Sequence, residues 1–208
     1  MEEDLFSIDD LMVKEVIAGC DEAGRGPLVG PVVAACVVLP DDFPFEILAD
    51  SKKLSEKQRD EAAEIIKAKA TAWAITSVPH KVIDEVNILN ASLYAMRRSY
   101  EKIRGIVHID RVLIDGNKVF DSDIPTQAVV KGDDKIHEIM AASILAKTYR
   151  DHLMMIADRR WPEYDFRKHK GYPTKEHLEM IAKYGPCPIK RKTFHVKKLE
   201  EAKEPELL

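Results

Sequence analysis

The stretch LVGPVVAACVVLP, residues 28–40, constrains the fold of this chain more than any other segment. It has no charged side chain and is rich in β-branched residues, a composition typical of a β-strand. A second apolar run, EVIAGCDE at 15–22, precedes it across a short glycine-rich break. This arrangement predicts two paired strands with a tight connection between them.

The rest of the chain contains segments of two kinds. Apolar residues at helical spacing, together with capping residues such as Ser55 and Thr174, predict helices over 55–70, 87–103, 135–161 and 175–184. Short apolar runs bounded by turn residues predict further strands over 71–79, 111–116 and 126–134. This order of elements predicts an α/β fold, in which helices pack on a mixed sheet.

Composition argues against several classes of protein. The chain has 208 residues, enough for one substantial core, and lacks the run of about 20 apolar residues that a membrane-spanning helix needs. It opens on the acidic stretch MEEDLFSIDDL, so we expect no membrane association and a cytoplasmic location. The three cysteines lack metal-site spacing. Cys20 and Cys36 lie in apolar runs, which favours buried, reduced thiols.

The net charge of −4 is distributed unevenly along the chain. Residues 131–200 contain 16 Lys and Arg against 10 Asp and Glu, whereas the preceding residues are acidic overall. A basic C-terminal third is compatible with a face that binds a polyanion, and equally with an ordinary solvated surface. Charge alone therefore leaves nucleic-acid binding open.

Acidic residues follow three of the predicted strands. Asp21 and Glu22 end the first strand, Asp115 ends VLID, and Asp133 follows VVKG. A single Asp beside Gly is commonly a turn residue, but three acids at equivalent positions indicate a shared site. Such a cluster needs a compensating cation or proton, and its oxygen donors suit Mg²⁺ or Mn²⁺ better than Zn²⁺. Two such ions are the usual device for displacement at phosphorus.

Asp21 and Glu22 are adjacent, and adjacent side chains of a strand point to opposite faces. They can share one site only if the strand ends or twists between them, or if one of them contributes its backbone carbonyl. The glycines that follow, Gly24 and Gly26, make a departure from the strand easy.

Six motifs occur in a characteristic order: DEAGRGPLVGPVVAA (21–35), DSKKLS (50–55), LIDGN (113–117), VKGD (130–133), AASILAKTYRD (141–151) and HKGYPTKEH (169–177). Together they resemble the type 2 ribonucleases H, of the kind that bacteria have as ribonuclease HII. The resemblance covers roughly residues 15–196. It implies a ribonuclease H-like mixed sheet flanked by helices, in one catalytic domain over 1–208. The core would span about 15–161, and a basic helical extension about 162–198.

The resemblance also implies an activity. Enzymes of this family cut the RNA strand of RNA–DNA hybrids and nick DNA 5′ of embedded ribonucleotides, which serves ribonucleotide excision repair. By analogy, Asp21, Glu22, Asp115 and Asp133 would bind two Mg²⁺ or Mn²⁺ ions and activate the attacking water. The products would carry 5′-phosphate and 3′-hydroxyl ends. Nothing in the sequence itself demands more than a monomer, which is the state we expect.

Further residues match the family's substrate contacts. Gly24, Arg25 and Gly26 match the loop that reads the 2′-hydroxyl, and Tyr172 matches the tyrosine that packs on the sugar at the RNA–DNA junction. The implied contacts to backbone phosphates are Ser51, Lys52, Lys147 and Arg150. His169 is left without a role.

The chain departs from the family pattern at KRKTF (190–194), where a His-Arg-x-Ser-Phe stretch is usual; this puts any role of that histidine in doubt. Asp134, beside Asp133, is interpreted as a helix N-cap. Two other functions remain open. One is a metal-dependent DNA nuclease or strand-transfer enzyme with a related acidic triad, and the other is a non-catalytic nucleic-acid-binding module.

Overall fold

The structure, a computed structural model, describes residues 15–48 and 54–194. The strands of this part are β1 (Ile17–Ala23), β2 (Val32–Val38), β3 (Ala72–Val78), β4 (Arg111–Asp115) and β5 (Thr126–Val129). Its α-helices are α1 (Glu56–Lys69), α2 (His80–Val86), α3 (Ile88–Ile103), α4 (His137–Arg160), α5 (Phe166–His169) and α6 (Lys175–Tyr184).

The strands form one mixed sheet in the order β3-β2-β1-β4-β5. β1 pairs antiparallel with β2, as the glycine-rich break between them predicted, and β2 pairs antiparallel with β3. β1, β4 and β5 run parallel to one another. Their carboxyl ends therefore meet at one edge of the sheet, the place where ligands bind in open α/β sheets.

Helices cover both faces of the sheet because successive side chains of β2 point into different cores. Val33, Ala35 and Val37 lie in a core with residues of α1 and α4, and Val32, Ala34 and Cys36 lie in a core with residues of α3. Cys20 and Cys36 are fully buried free thiols at paired positions of β1 and β2, as predicted. The mixed sheet between helices confirms the predicted fold class.

β1 and α4 approach each other so closely that only glycine fits at position 19. A Cβ atom on Gly19 would lie 2.3 Å from the carbonyl carbon of Glu138. On the same helix, Ala141 and Ala142 are fully buried and contribute to the core beneath the sheet. These short side chains bring the first half of α4 against the strand that carries Asp21.

The segment after α4 packs back onto the sheet connection through a third apolar cluster. The rings of Tyr164 and Phe166 stack with centroids 5.4 Å apart, in a cluster that includes Met154 of α4 and Val29. A β-bridge also pairs Val29 with Lys190. The C-terminal segment thus covers the β1–β2 connection, on which the glycine-rich motif lies.

Two predicted helix caps are confirmed. Ser55 forms a capping box with Gln58 at the start of α1, and the Thr174 side chain accepts a hydrogen bond at the start of α6. Helix α2 was not predicted from sequence. It has seven residues, follows Pro79 and has no side-chain cap, so it carries few of the signals on which such a prediction depends.

The turn between β5 and α4 differs from the prediction. β5 ends at Val129, and the chain then passes through left-handed Lys131 into a 3-10 turn over Gly132–Asp134. The N-cap of α4 is Ile136, so the interpretation of Asp134 as the N-cap is wrong. Within the described ranges, no helix combines the length and the apolar character needed to cross a membrane.

Candidate active site

The parallel strands bring the four predicted acids to one edge of the sheet. Asp21 and Glu22 lie near the end of β1, Asp115 is the last residue of β4, and Asp133 lies in the turn after β5. The Oδ1 atom of Asp115 accepts hydrogen bonds from the backbone N–H groups of Gly132 at 2.7 Å and Asp133 at 3.4 Å. These bonds join the end of β4 to the turn after β5, and so hold two of the acids together.

Asp21 is in an unfavourable environment for an ionised carboxylate. Burial raises the pKa of Asp21 well above its usual range, and the charges of Glu22 and Asp115 act in the same direction. Hydrogen bonds from the Ser143 side chain and from the Glu22 backbone N–H, 2.7 Å from Oδ1, oppose that shift. A cation beside this carboxylate would remove most of the electrostatic cost.

Glu22 is partly buried, and its two carboxylate oxygens differ in their partners. Burial raises the pKa of Glu22, whereas Arg25, whose Nη1 lies 3.2 Å from Oε1, lowers it. Oε2 is buried and has no hydrogen-bond partner among the described residues. Because an orphaned carboxylate oxygen is costly, it is the kind of donor that a cation satisfies.

The described residues do not form a finished metal cage. In residues 15–48 and 54–194, no group of three or more His, Cys, Asp or Glu is already arranged to hold an ion. The donor chemistry nevertheless fits a hard divalent cation, since the acids supply carboxylate oxygens and the orphaned Oε2 of Glu22 is among them. Binding would require the carboxylates to turn towards the ion.

A cleft of about 400 Å³ opens beside the acids. Glu22 and Asp133 line it together with Ser143, whereas Asp21 and Asp115 are not among its lining residues. The remaining lining residues are Ala23, Gly24, Arg25, Gly26, Arg59, Ile144, Lys147 and Tyr172. Acids and cationic side chains therefore share one concave surface.

The predicted Gly-Arg-Gly loop lies on this surface. Gly24 has φ +100°, and a Cβ atom there would come within 2.2 Å of the Arg150 guanidinium. At Gly26, a Cβ atom would lie 3.3 Å from the Tyr172 ring. The Arg150 guanidinium therefore leaves room only for glycine at position 24. The contact at Gly26 places the loop next to the Tyr172 ring.

Lys147 and Tyr172 also line the cleft, as their predicted role requires. The Nζ of Lys147 lies 2.8 Å from Asp151 Oδ1 and 5.8 Å from the centroid of the Tyr172 ring. The Tyr172 side chain is partly exposed, at 39%. An exposed ring beside a cation is a suitable surface for a sugar or base next to a phosphate.

Arg150 contradicts the prediction of a direct phosphate contact. Its side chain is fully buried, and its guanidinium donates to the backbone carbonyls of Val29, Pro31 and Lys170. Because this side chain is buried and bonded to carbonyls inside the protein, it does not present its guanidinium to a phosphate at the surface. Its observed role is to join the β1–β2 connection to the loop that carries Tyr172. Ser51 and Lys52, the other predicted phosphate contacts, lie outside the described residues.

His169, which sequence left without a role, is buried and structural. Its Nδ1 accepts a hydrogen bond from the Gly171 N–H, and its Nε2 lies 2.9 Å from the Tyr164 carbonyl oxygen. The ring stacks on His177 with centroids 4.4 Å apart. His177 in turn contacts the Tyr172 carbonyl oxygen through Nδ1, at 2.9 Å. The two rings therefore shape the Tyr172 loop from beneath.

Sequence reasoning missed two polar residues of the cleft, Arg59 and Ser143, and also Asp151, the partner of Arg59. Arg59 of α1 lines it and forms a 3.2 Å ion pair with Asp151, 92 residues away, a contact that no local pattern indicates. Asp151 thereby holds two cations, Arg59 and Lys147; only its spacing of four residues from Lys147 was a usable signal. Ser143 beside Asp21 lies in the AASILAKTYRD motif, but nothing in that motif singled out this residue.

A mixed sheet between helices, with acids at the ends of parallel strands, defines a ribonuclease H-like hydrolase. The crystal structure of ribonuclease H2 from Pyrococcus horikoshii has this fold, with a TM-score of 0.71 and 25% identity over 89% of this chain and 97% of that one. The structure of Bst-RNase HIII in complex with Mn²⁺ has it too, with a TM-score of 0.67, 18% identity, and 90% and 70% of the two chains covered.

Comparison of sequences identifies the family within this fold. The family model described as Ribonuclease HII matches residues 18–199. A ribonuclease HII of Francisella philomiragia is 52% identical over 179 residues, 86% of this chain and 96% of that protein. A ribonuclease HII of Neisseria meningitidis is 52% identical over 178 residues, with 85% and 91% covered. The chain belongs to the ribonuclease HII family and is a hydrolase of the ribonuclease H type.

Proposed function

We propose that the chain hydrolyses the RNA strand of RNA–DNA hybrids and nicks DNA 5′ of embedded ribonucleotides, as a step in ribonucleotide excision repair. One observation carries this proposal: a single cleft is lined by the acids Glu22 and Asp133 and by the Gly24–Gly26 loop and Tyr172. The acids suit phosphodiester hydrolysis. The loop suits recognition of a 2′-hydroxyl, which a protein must contact to tell RNA from DNA.

Asp21, Glu22, Asp115 and Asp133 would hold two divalent ions. When bound, such ions supply a hydroxide nucleophile and stabilise the leaving oxygen, which gives 5′-phosphate and 3′-hydroxyl products. The chain's own part is orientation. The Ser143 side chain and the Glu22 N–H restrain Asp21, and backbone N–H groups restrain Asp115.

The ion is proposed to be Mg²⁺ or Mn²⁺ because the donors are carboxylates. Bst-RNase HIII, a protein of the same fold, was solved in complex with Mn²⁺. Activity restored to the chelated protein by Mg²⁺ or Mn²⁺, and not by Zn²⁺, would support this assignment.

The substrate would lie across the loop and the basic wall of the cleft. Backbone groups of Gly24, Arg25 and Gly26 would contact the ribose, and Tyr172 would pack on the neighbouring sugar. Lys147 and Arg59 would contact phosphates, as would Ser51 and Lys52. Arg25, now paired with Glu22, would exchange that carboxylate for a phosphate when ions occupy the acids.

We further propose that residues 1–208 act as one catalytic domain, as a monomer, in the cytoplasm. Residues 162–194 support this by packing on α4 and on the β1–β2 connection. Light scattering of the purified protein would test the monomer.

The test of function uses a DNA duplex with a single ribonucleotide. With Mg²⁺ or Mn²⁺ we expect one nick 5′ of that ribonucleotide and none in the matched all-DNA duplex. Equal cleavage of both duplexes would indicate the DNA nuclease instead. Tight binding of the ribonucleotide duplex without turnover in any metal would indicate the binding module.

A further inference from the structure

A second buried arginine lies beneath the Gly-Arg-Gly loop. Arg191 is fully buried, and its guanidinium donates only to backbone carbonyls in the hydrogen bonds described. Nη2 lies 2.6 Å from Gly24 O and Nη1 lies 3.1 Å from Arg25 O. Nε and Nη2 also reach Gly30 O at 3.0 Å and Pro31 O at 3.1 Å. One side chain thus holds both ends of the β1–β2 connection.

The geometry of the peptide bond gives these contacts a directional consequence. In a trans peptide the C=O and the following N–H point in opposite directions, and the described residues contain no cis peptide. Because Arg191 holds the carbonyls of Gly24 and Arg25 inward, the N–H groups of Arg25 and Gly26 point the other way. Two consecutive donors are therefore turned away from the protein interior.

The segment that carries Arg191 is itself fixed on both sides. The Arg191 backbone N–H donates to Leu28 O at 2.9 Å. Next along the chain, the backbone N–H groups of Lys192 and Thr193 each lie 3.0 Å from the carboxylate of Asp84 on α2, and the Thr193 hydroxyl lies 2.9 Å from it. A surface carboxylate thus anchors the residues directly after the buried guanidinium.

Burial of the Arg191 guanidinium costs more free energy than a purely structural contact would require. A buried cation requires full hydrogen bonding, and apolar side chains of similar volume often fill such a space at lower free energy. Arg150 lies close enough for its positive charge to disfavour the charge of Arg191, and the two guanidiniums share Pro31 O as an acceptor. Hydrogen bonds from a fork of donors, however, fix backbone orientation in a way that apolar packing does not.

We propose that Arg191 is a positioning residue for ribose recognition. It orients the Gly24–Gly26 loop so that the N–H groups of Arg25 and Gly26 meet the 2′-oxygen, and it touches no substrate atom itself. Asp84 supports it by anchoring Lys192 and Thr193. The inference rests on the proposed function, because it names the support of the same recognition loop.

The test measures binding discrimination rather than rate alone. Two duplexes of equal sequence, one with a single ribonucleotide and one all-DNA, are titrated with protein in Ca²⁺ by fluorescence anisotropy. In the unmodified protein we expect tighter binding of the ribonucleotide duplex. In Arg191→Lys we expect that preference to fall by about tenfold or to vanish, since about one hydrogen bond's worth of free energy is lost. All-DNA affinity should stay unchanged, because the phosphate contacts are intact.

Two further variants separate positioning from stability. Ile103→Ala opens a cavity in the α3 core, away from the loop, and lowers stability without moving the carbonyl acceptors; its discrimination should equal that of the unmodified protein. Asp84→Ala loosens the anchor at the surface, and we expect a smaller loss of discrimination in the same direction. If Arg191→Lys does not fold, the discrimination of Asp84→Ala alone tests the positioning role of Arg191.

The proposal is overturned if folded Arg191→Lys keeps the full preference, or if Ile103→Ala loses as much of it. It is also overturned if Arg191→Lys does not fold and Asp84→Ala retains full discrimination. Failure of the unmodified protein to nick the ribonucleotide duplex is a different result, since it would contradict the proposed function and not the role of Arg191 alone.

Discussion

The proposed function requires an ionised carboxylate at Asp21, whereas the stability of the fold is lowered by one. This carboxyl group is buried beside Glu22 and Asp115, so the ionised form is disfavoured in the folded protein. The same placement brings it into reach of its neighbours' charges and of Ser143. Proteins keep such groups where activity requires them, at a cost in stability.

We therefore expect Asp21→Asn to be inactive yet more stable. Loss of a metal-binding carboxylate should lower kcat at least about a hundredfold, because metal-ion stabilisation amounts to several kcal/mol. Removal of a buried charge should raise the free energy of unfolding in chelator by about 1 kcal/mol or more at pH 7. Nicking assays and urea denaturation measure the two effects.

The control for that prediction is Asp42→Asn, since Asp42 is exposed. It should change neither quantity. A fully active Asp21→Asn would remove this residue from the catalytic set.

His177 should make stability depend on pH. Burial lowers the pKa of His177 to about 4, so between its ordinary value and 4 only the unfolded chain takes up the proton. The contribution of neutral His177 to the free energy of unfolding is therefore fully present above about pH 6.5. It is lost as the pH falls towards 4, because protonation then favours the unfolded chain. From pH 7 to pH 5 the loss from this residue should be about 2 kcal/mol.

Urea denaturation at pH 7 and pH 5 measures this loss. In His177→Gln the free energy of unfolding should fall by about 2 kcal/mol less between the two pH values than in the unmodified protein. The exposed His152 gives the matched control, His152→Gln, and its pH dependence should match the unmodified protein. An unchanged pH dependence in His177→Gln would contradict the assignment.

Among the elements, the contact between β1 and α4 does most to build the site. α4 supplies Ser143 and Lys147 to the cleft, whereas β1 supplies Glu22 and carries the buried Asp21 directly before it. Their close approach depends on the absence of a side chain at Gly19. A change in this spacing would shift the acids relative to the residues of the helix.

Gly19→Ala should therefore destabilise the protein by about 1–3 kcal/mol, the usual cost of overpacking. Activity should fall as well, since the helix must move away from the strand. The matched control is Gly105→Ala. A Cβ atom there meets nothing within 4 Å and the backbone does not have a positive φ, so stability should change little or rise slightly. Equal stability of the two variants, measured by denaturation, would contradict the close contact.

For the whole molecule, the important feature is that a protein of negative net charge brings cationic side chains from distant parts of the chain to one cleft. The net charge is −4, yet the cleft places Arg25, Arg59 and Lys147 beside the acids. Local charge, rather than net charge, governs binding of a polyanion at a cleft. Affinity for duplexes should accordingly fall steeply with salt.

Lys147→Ala should weaken binding of ribonucleotide and all-DNA duplexes alike and reduce the slope of log K against log salt by about 1. Lys69→Ala, at the exposed end of α1, is the control and should leave the slope unchanged. Anisotropy titrations over a range of NaCl concentrations measure both. An unaltered slope in Lys147→Ala would exclude a phosphate contact by this residue.

Much of the fold could be predicted from sequence because its signals are local. Apolar β-branched runs predicted the strands, and caps such as Ser55 and Thr174 marked helix starts. The short helix α2 and the turn around Asp134 escaped prediction, since neither has a cap or periodicity strong enough to read. Local propensity is informative only where the segment is long.

The sequence by itself determined where the strands lie and that acids occur at or shortly after the ends of three of them, because these features depend on neighbouring residues. Only the tertiary structure decided which cations face the cleft. Arg59 and Lys147 do, whereas Arg150 and Arg191 point inward. The carbonyls that bind Arg150 and Arg191 on the β1–β2 connection lie 119 to 167 residues away in sequence, so their burial follows from how distant elements pack.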